Sequence, residues 1–331
     1  LFDDKPLGWQ AWDTELYSVN QYKYITEIES VKILDNSKEK CSVEVIFKIS
    51  DDCKITTKIS LTSTTPATLD ESKIDIETQV DNWNLRNKFL KVEFPVNVHN
   101  DFASYETQFG ITKRPTHYNT SWDVAKFEVC HHKFADYSDF SKGVSIMNNC
   151  KYGFATHGNL MRLSLLRSSK APDAHADMGS HEIKYALYPH KGALSAETVK
   201  LALQFNFGYK YGVASNIAKQ FDEVIEILGD GNTILSNMKR GEDDSEIASD
   251  YSLKPRDERS IILRVYESLG GESRAKLLTT LPIKKVEKID SLELEKVETL
   301  SFKKTNESVY GKYEIPIKLR PFEVATYKLL V

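Results

Sequence analysis

Strand-like alternation runs through this chain from end to end, and it leaves few fold classes open. At 43–49 (VEVIFKI), 54–61 (KITTKISL) and 73–80 (KIDIETQV), apolar and β-branched side chains alternate with polar ones. That period of two puts one face of an extended strand in a core and the other toward solvent. Similar runs recur at 89–94, 143–147, 160–166 and 199–205. Two stretches read as helical: 214–228, where Phe221, Val224, Ile225 and Leu228 recur at helical spacing, and a short piece near 123–129. So many strands with so little helix predict stacked antiparallel sheets whose polar alternates face solvent or a cleft.

A chain of 331 residues is long enough for more than one folding unit. After Leu228 the composition changes: GDGN at 229–232 is a turn cluster, and KRGEDDS at 239–245 reads as a solvated charged segment. Strands resume at short spacing at 260–266, 275–277, 314–319 and 324–329, with a Gly270-Gly271 turn among them. The expected organisation is a lead-in over 1–20, a large sandwich over 21–228, a linker over 229–250 and a small β-sandwich over 251–331.

Composition removes several function classes. With 44 basic and 48 acidic side chains the net charge is −4, so no nucleic-acid or anionic-membrane footprint exists and neither partner is expected. The longest apolar stretches are a few residues, far short of the roughly 20 that cross a bilayer. Cys41, Cys53, Cys130 and Cys150 lack CxxC spacing, which argues against a zinc knuckle and predicts mostly buried free thiols of an intracellular protein. Sequons at Asn119 and Asn306 occur at a frequency chance supplies. GxGxxG, GxxxxGK and HExxH are absent, so dinucleotide, P-loop and zincin chemistry have no support. Leu1-Phe-Asp-Asp4, with neither an initiator Met nor a signal-like segment, reads as an internal position of a longer polypeptide.

Three polar runs are candidate functional segments. In 163–192 (LSLLRSSKAPDAHADMGSHEIKYALYPHKG), Asp173, His175 and Asp177 stand at i, i+2 and i+4. They serve as metal ligands, as carboxylates capping turn amides, or as hydrogen-bond partners of sugar hydroxyls. His181, Glu182 and His190 flank the strand that follows, as polar cleft residues or as anchors of the loop. In 108–123 (QFGITKRPTHYNTSWD), Arg114, His117, Asn119, Trp122 and Asp123 combine an aromatic face with forked donors, which carbohydrate recognition needs; the alternative is a loop pinned by its own side chains. In 3–13 (DDKPLGWQAWD), Trp9 and Trp12 beside aspartates, Asp13 among them, form either an aromatic subsite or a buried Trp with a capping Asp.

These same runs resemble glycoside hydrolase family 38, the retaining α-mannosidases. Family members commonly read FDDxPxxWDAWD, QFGxxxRPTHxNTSWDxAxFEV and PDPxADxGxHEF, then ExxGGxxxxA and LxPFEVxT. Here the corresponding segments are 2–13, 108–129, 172–183, 267–275 and 319–326, in the same order and at similar spacing. The resemblance is strongest to the cytosolic and fungal vacuolar branch.

The resemblance implies a mainly β fold: a large antiparallel supersandwich of the galactose-mutarotase-like kind plus a small C-terminal β-sandwich. It implies that nucleophile, acid/base carboxylate and zinc ligands lie on upstream domains, so that no catalytic or metal residue and no cofactor is assigned to this chain, with zinc belonging to the full-length enzyme. The implied tasks are lining the active-site cleft, contacting α-mannoside oligosaccharides, packing on the upstream catalytic domain and supporting homo-oligomerisation. The implied location is intracellular, cytoplasmic or vacuolar. Two departures stand out: Met178 where several relatives carry Arg, and Gln10 where Asp is common. Met supplies none of the donors of Arg, which weakens substrate contact at that position. A reading from another class is an independent carbohydrate-binding β-sandwich.

Overall fold

The structure, a computed structural model, describes residues 1–8, 11–62, 73–208, 225–244, 258–305 and 313–331. The chain divides into two compact units, one of Leu1–Gln108 with Thr112–Gly208 and one of Phe109–Ile111 with Tyr209–Val331. Among the described residues no helix is long and apolar enough to cross a membrane.

The first unit holds two sheets. Its five-stranded sheet runs in the order Phe2–Asp3, Lys88–Pro95, Leu160–Ser168, Gly153–His157 and Val129–Cys130. Its nine-stranded sheet runs Ile28–Asn36, Lys40–Lys48, Lys54–Thr62, Ile74–Trp83, Gly179–Lys191, Lys142–Asn148, Phe134–Ser138, Phe102–Thr107 and Gly110–Pro115. Alternation sends Ile76, Val80, Ile183 and Tyr185 of the large sheet and Leu90, Phe154, Met161 and Leu163 of the small one into a single core that also encloses Trp83 and Tyr105. On the other face of the large sheet, Lys184, Glu77, Lys58, Glu44 and Lys32 stand opposite one another across five strands. The register thus sets opposite charges side by side, the favourable cross-strand arrangement.

A buried polar cluster inside this unit is paired. His190 Nε2 lies 2.7 Å from Asp136 Oδ2, and Ser138 and Ser145 each donate to the same buried carboxylate at 2.6 Å. Gly143 makes room for the imidazole, since a Cβ there would collide with the His190 ring and with Ser138. Burial pulls the His190 pKa down, and the hydrogen bond and charge of Asp136 more than reverse it, leaving it above the ordinary value. A raised imidazole pKa stabilises the fold fully below the unfolded value near 6.5, and that contribution disappears as pH rises through the folded value. An NMR titration is expected to place the His190 midpoint above 6.5, and a midpoint below it would contradict the pairing.

The second unit also has two sheets. Ile225–Gly229, Ser273–Thr279, Tyr313–Leu319 and Lys303–Lys304 form one, and Thr233–Arg240, Ser260–Glu267, Val324–Leu330, Lys285–Ile289 and Lys296–Leu300 the other. Leu263, Val265, Leu277, Ile315, Ile317 and Tyr327 fill its core.

Several sequence expectations change. The run at 199–205 lies in a helix, Ala196–Phe207, because Ser195 accepts from the Glu197 amide at 3.3 Å and Gly208 ends the helix at φ +60°. Val199, Leu201 and Ala202 satisfy helical burial, while the V-K-L-A-L spelling mimics a period of two. Of the helix expected over 214–228, residues 214–224 lie outside the described residues. Ile225–Gly229 is a strand paired with Ser273–Thr279, its I-E-I-L pattern serving the sheet. The short helix is Ser121–Val124, and Val129–Cys130 is a strand.

The charged segment at 239–245 is solvated only in part where it is described: Glu242 is exposed. Asp243 and Asp244 are buried: Arg240 donates to Asp244 at 2.5 Å, the Ser260 amide donates to it at 3.1 Å, and Lys328 pairs with Asp243. Only Cys53 of the four thiols is buried, while Cys41, Cys130 and Cys150 are free and exposed.

Candidate functional site

The 163–192 run is organised by Arg167. Along Leu160–Ser168, Met161 and Leu163 point into the core while Arg162 and Ser164 point outward, until a register shift between Ser164 and Leu166 adds one residue to the strand. The bulge reverses the parity, burying Leu165 and Leu166 and placing Arg167 opposite Phe89, on the outward face. There its guanidinium lies 5.7 Å from the Phe89 ring centroid and forks onto Asp4, with Nε to Oδ2 at 2.7 Å and Nη2 to Oδ1 at 3.3 Å. Asp4 is fully buried, so a forked cation is what its burial requires. Nη2 also donates to the Asp13 carbonyl at 2.5 Å, and the Arg167 amide donates to Asp177 Oδ2 at 3.2 Å.

The loop beyond is built from turns. Asp173 Oδ1 accepts from the His175 amide at 2.8 Å, the carboxylate-capped turn that was one of three readings for this residue. Asp177 adopts φ +57°, and its carbonyl lies 2.7 Å from His181 Nε2, so the imidazole anchors the loop. Asp173, His175 and Asp177 are exposed, and Met178 packs against the core. Their side chains do not share one extended face, and among the described residues no three His, Cys, Asp or Glu side chains converge to hold a metal ion. No step of chemistry is therefore assigned to a metal on these residues.

Glu182 leaves this group. It is in register with Gln79 and lines a polar hollow of the large sheet with Glu44, Lys58, Glu77 and Lys184. Trp12 is 88% exposed, and Asp13 Oδ1 accepts from the Thr14 amide at 2.7 Å. Trp9 and Gln10 lie outside the described residues.

The 108–129 run makes a second group. Thr120 and Asp123 form a reciprocal capping box around Ser121–Val124, and His117 Nδ1 lies 3.5 Å from Asp123 Oδ2 and 3.4 Å from the Asn119 amide. This run is thus pinned by its own side chains. Trp122 is nevertheless 75% exposed, with Lys126 Nζ 5.7 Å from its ring centroid. Arg114 Nε is buried without a hydrogen-bond partner among the described residues. Tyr118 stacks on His157 with centroids 4.1 Å apart, a pair that alternation does not reveal. Burial first, then the neighbouring Arg162 and His117, holds the His157 pKa below its ordinary value. A hollow lined by Phe2, Tyr22, Tyr24 and Phe47 includes none of the expected site residues.

The two C-terminal runs have a structural task. Glu267, fully buried, accepts from Asn232 Nδ2 at 2.7 Å and from the amides of Leu269, Gly270 and Phe322 at 2.8, 2.7 and 2.9 Å. One carboxylate thus joins the ExxGG turn to the PFE turn. Glu323 in turn accepts from the Arg320 amide and from Lys288 Nζ, both at 2.9 Å.

Comparison with known proteins places this geometry in a family. Residues 1–175 match the family model for the glycosyl hydrolases family 38 C-terminal domain, and residues 251–327 match that for the family 38 C-terminal beta sandwich domain. The chain belongs to glycoside hydrolase family 38. An alpha-mannosidase of Saccharomyces cerevisiae is 68% identical over 329 residues, which is 99% of this chain and 30% of that protein. Alpha-mannosidase G of Dictyostelium discoideum is 35% identical over 335 residues, 100% of this chain and 28% of that protein. The family 38 chain thus spans less than a third of the length of these relatives. A crystal structure of an alpha-mannosidase from Enterococcus faecalis V583 superposes with a TM-score of 0.67 over 90% of this chain and 35% of that one, at 14% identity, and shares its fold.

Proposed function

We propose that this family 38 chain is the non-catalytic C-terminal β region of a retaining, zinc-dependent α-mannosidase, lining one wall of the active-site cleft and packing on an upstream catalytic domain. The observation that carries this reading is the meeting of two separate family runs at Arg167, whose side chain bonds the Asp13 carbonyl and whose backbone amide bonds the Asp177 carboxylate. Exposed Trp12, Asp173 and His175 belong to the same two runs, and an aromatic face with carboxylate and imidazole partners suits sugar C–H surfaces and hydroxyls. In a retaining glycosidase two carboxyls about 5 Å apart flank the scissile bond. In this reading that pair is supplied by the upstream domain. The three exposed thiols support an intracellular location, cytoplasmic or vacuolar.

The 331-residue polypeptide alone is expected to leave an aryl α-mannoside unhydrolysed with or without added zinc. The longer enzyme carrying the same segment is expected to hydrolyse it. Turnover by the short chain, free of contaminating enzyme, would overturn the non-catalytic assignment. The exposure of Trp122 favours a second reading, an independent carbohydrate-binding module. Calorimetric titration with mannose and mannobiose separates them: micromolar binding lost in Trp122→Ala supports the module, and millimolar or no binding supports the cleft wall.

A further inference from the structure

We infer that Arg167 is a positioning residue, a clamp whose side chain holds the Asp13 turn beside the Asp177 loop, itself bonded to the residue 167 backbone amide, in the one arrangement in which both present their polar groups to a sugar. The inference rests on the cleft-wall reading above. It starts from a cost: Asp4 is fully buried, and a carboxylate there requires a paired and well-bonded cation. Arg167 supplies it through Nε and Nη2, yet the same Nη2 reaches the Asp13 carbonyl and the amide of the same residue reaches Asp177. An ion pair that only stabilised the sheet would need neither of the last two bonds.

The local backbone supports this division of labour. Asp177 stands in the left-handed region at φ +57°, which Asp tolerates better than most non-glycine residues and which its surroundings here hold in place. Two bonds do so, one from the Arg167 amide to its carboxylate and one between its carbonyl and His181 Nε2. The bulge after Ser164 is the device that brings Arg167 to this face, since unbroken alternation would turn it into the core. Lysine cannot reproduce the arrangement, because a point charge cannot fork onto Asp4 and bond the Asp13 carbonyl in a fixed plane.

The test uses the full-length enzyme and two measurements on Arg167→Ala, Arg167→Lys and Asp4→Asn. Hydrogen exchange of the amides at 11–14 is expected to accelerate in Arg167→Ala, while exchange at 173–181 changes far less because the residue 167 backbone amide still bonds Asp177. KM for an aryl α-mannoside is expected to rise about tenfold with kcat changed far less, Arg167→Lys giving little recovery and Asp4→Asn a smaller rise. Exchange unchanged at 11–14 would overturn the clamp. Faster exchange at 11–14 with an unchanged KM would overturn the positioning role while the cleft-wall reading stands. A wild-type enzyme that turns over no α-mannoside would sink that reading itself, an outcome told apart from the others because exchange is read without substrate.

Discussion

Replacing Glu267 with alanine is expected to destabilise the C-terminal unit by at least about 3 kcal/mol, because four buried or half-buried donors lose their acceptor at once. Glutamine is expected to recover only part of the loss, since its NH2 group would face amide donors where an oxygen now accepts. Denaturant unfolding of both variants checks this, and an alanine variant with the wild-type midpoint would refute the role assigned to the carboxylate. Burial, the largest influence, pushes the Glu267 pKa up, but the donors together hold it below the ordinary glutamate value. A depressed carboxylate pKa contributes stability above the unfolded value near 4.3, and that contribution is lost as pH falls through the folded value. The glutamine variant is therefore expected to lose the corresponding part of the acid dependence.

The second large effect concerns His131 and has the same sign for a different reason. His131 is fully buried; its Nδ1–H donates to the Tyr152 carbonyl at 3.0 Å and its Nε2 accepts from Asn148 Nδ2 at 2.8 Å. The Asn148 amide also donates to the His132 carbonyl at 2.8 Å and accepts from the Lys151 amide at 2.7 Å, so its orientation is set from both ends. Protonating Nε2 would set N–H against N–H. Burial accordingly lowers the His131 pKa to about 4. The unfolded chain takes up this proton near pH 6.5 and the folded one only near 4, so stability is expected to fall by about 3 kcal/mol across that window. NMR of the imidazole with unfolding at several pH values checks it, and titration of His131 near 6.5 would contradict the burial argument.

Legibility in the sequence followed how local each feature is. The strands at 43–49, 54–61 and 260–266 were readable because alternation against one core is a two-residue pattern. The helix Ala196–Phe207 is not legible because V-K-L-A-L fits both periods, and Ser195 and Gly208, which decide between them, act at its ends. In the candidate site, the runs containing Trp12, Asp173 and Trp122 were recognisable as polar and aromatic clusters, while Glu182 was grouped with the loop although its strand register carries it to another face. Arg167 and Asp4 lie inside the 163–192 and 3–13 runs, but a partner 163 residues away leaves no local mark in the sequence.

The sequence by itself determined a mainly β chain with family 38 signatures, because periodicity and turn residues are written residue by residue. Tertiary structure alone decided which of those residues meet. A single extra residue in Leu160–Ser168 reverses the facing of everything after it, and this turns the Arg167 side chain from a core-facing position into the group that joins Asp4 and Asp13. The cause is geometric: side-chain direction in a strand depends on the parity of the count, and a bulge changes parity without changing composition.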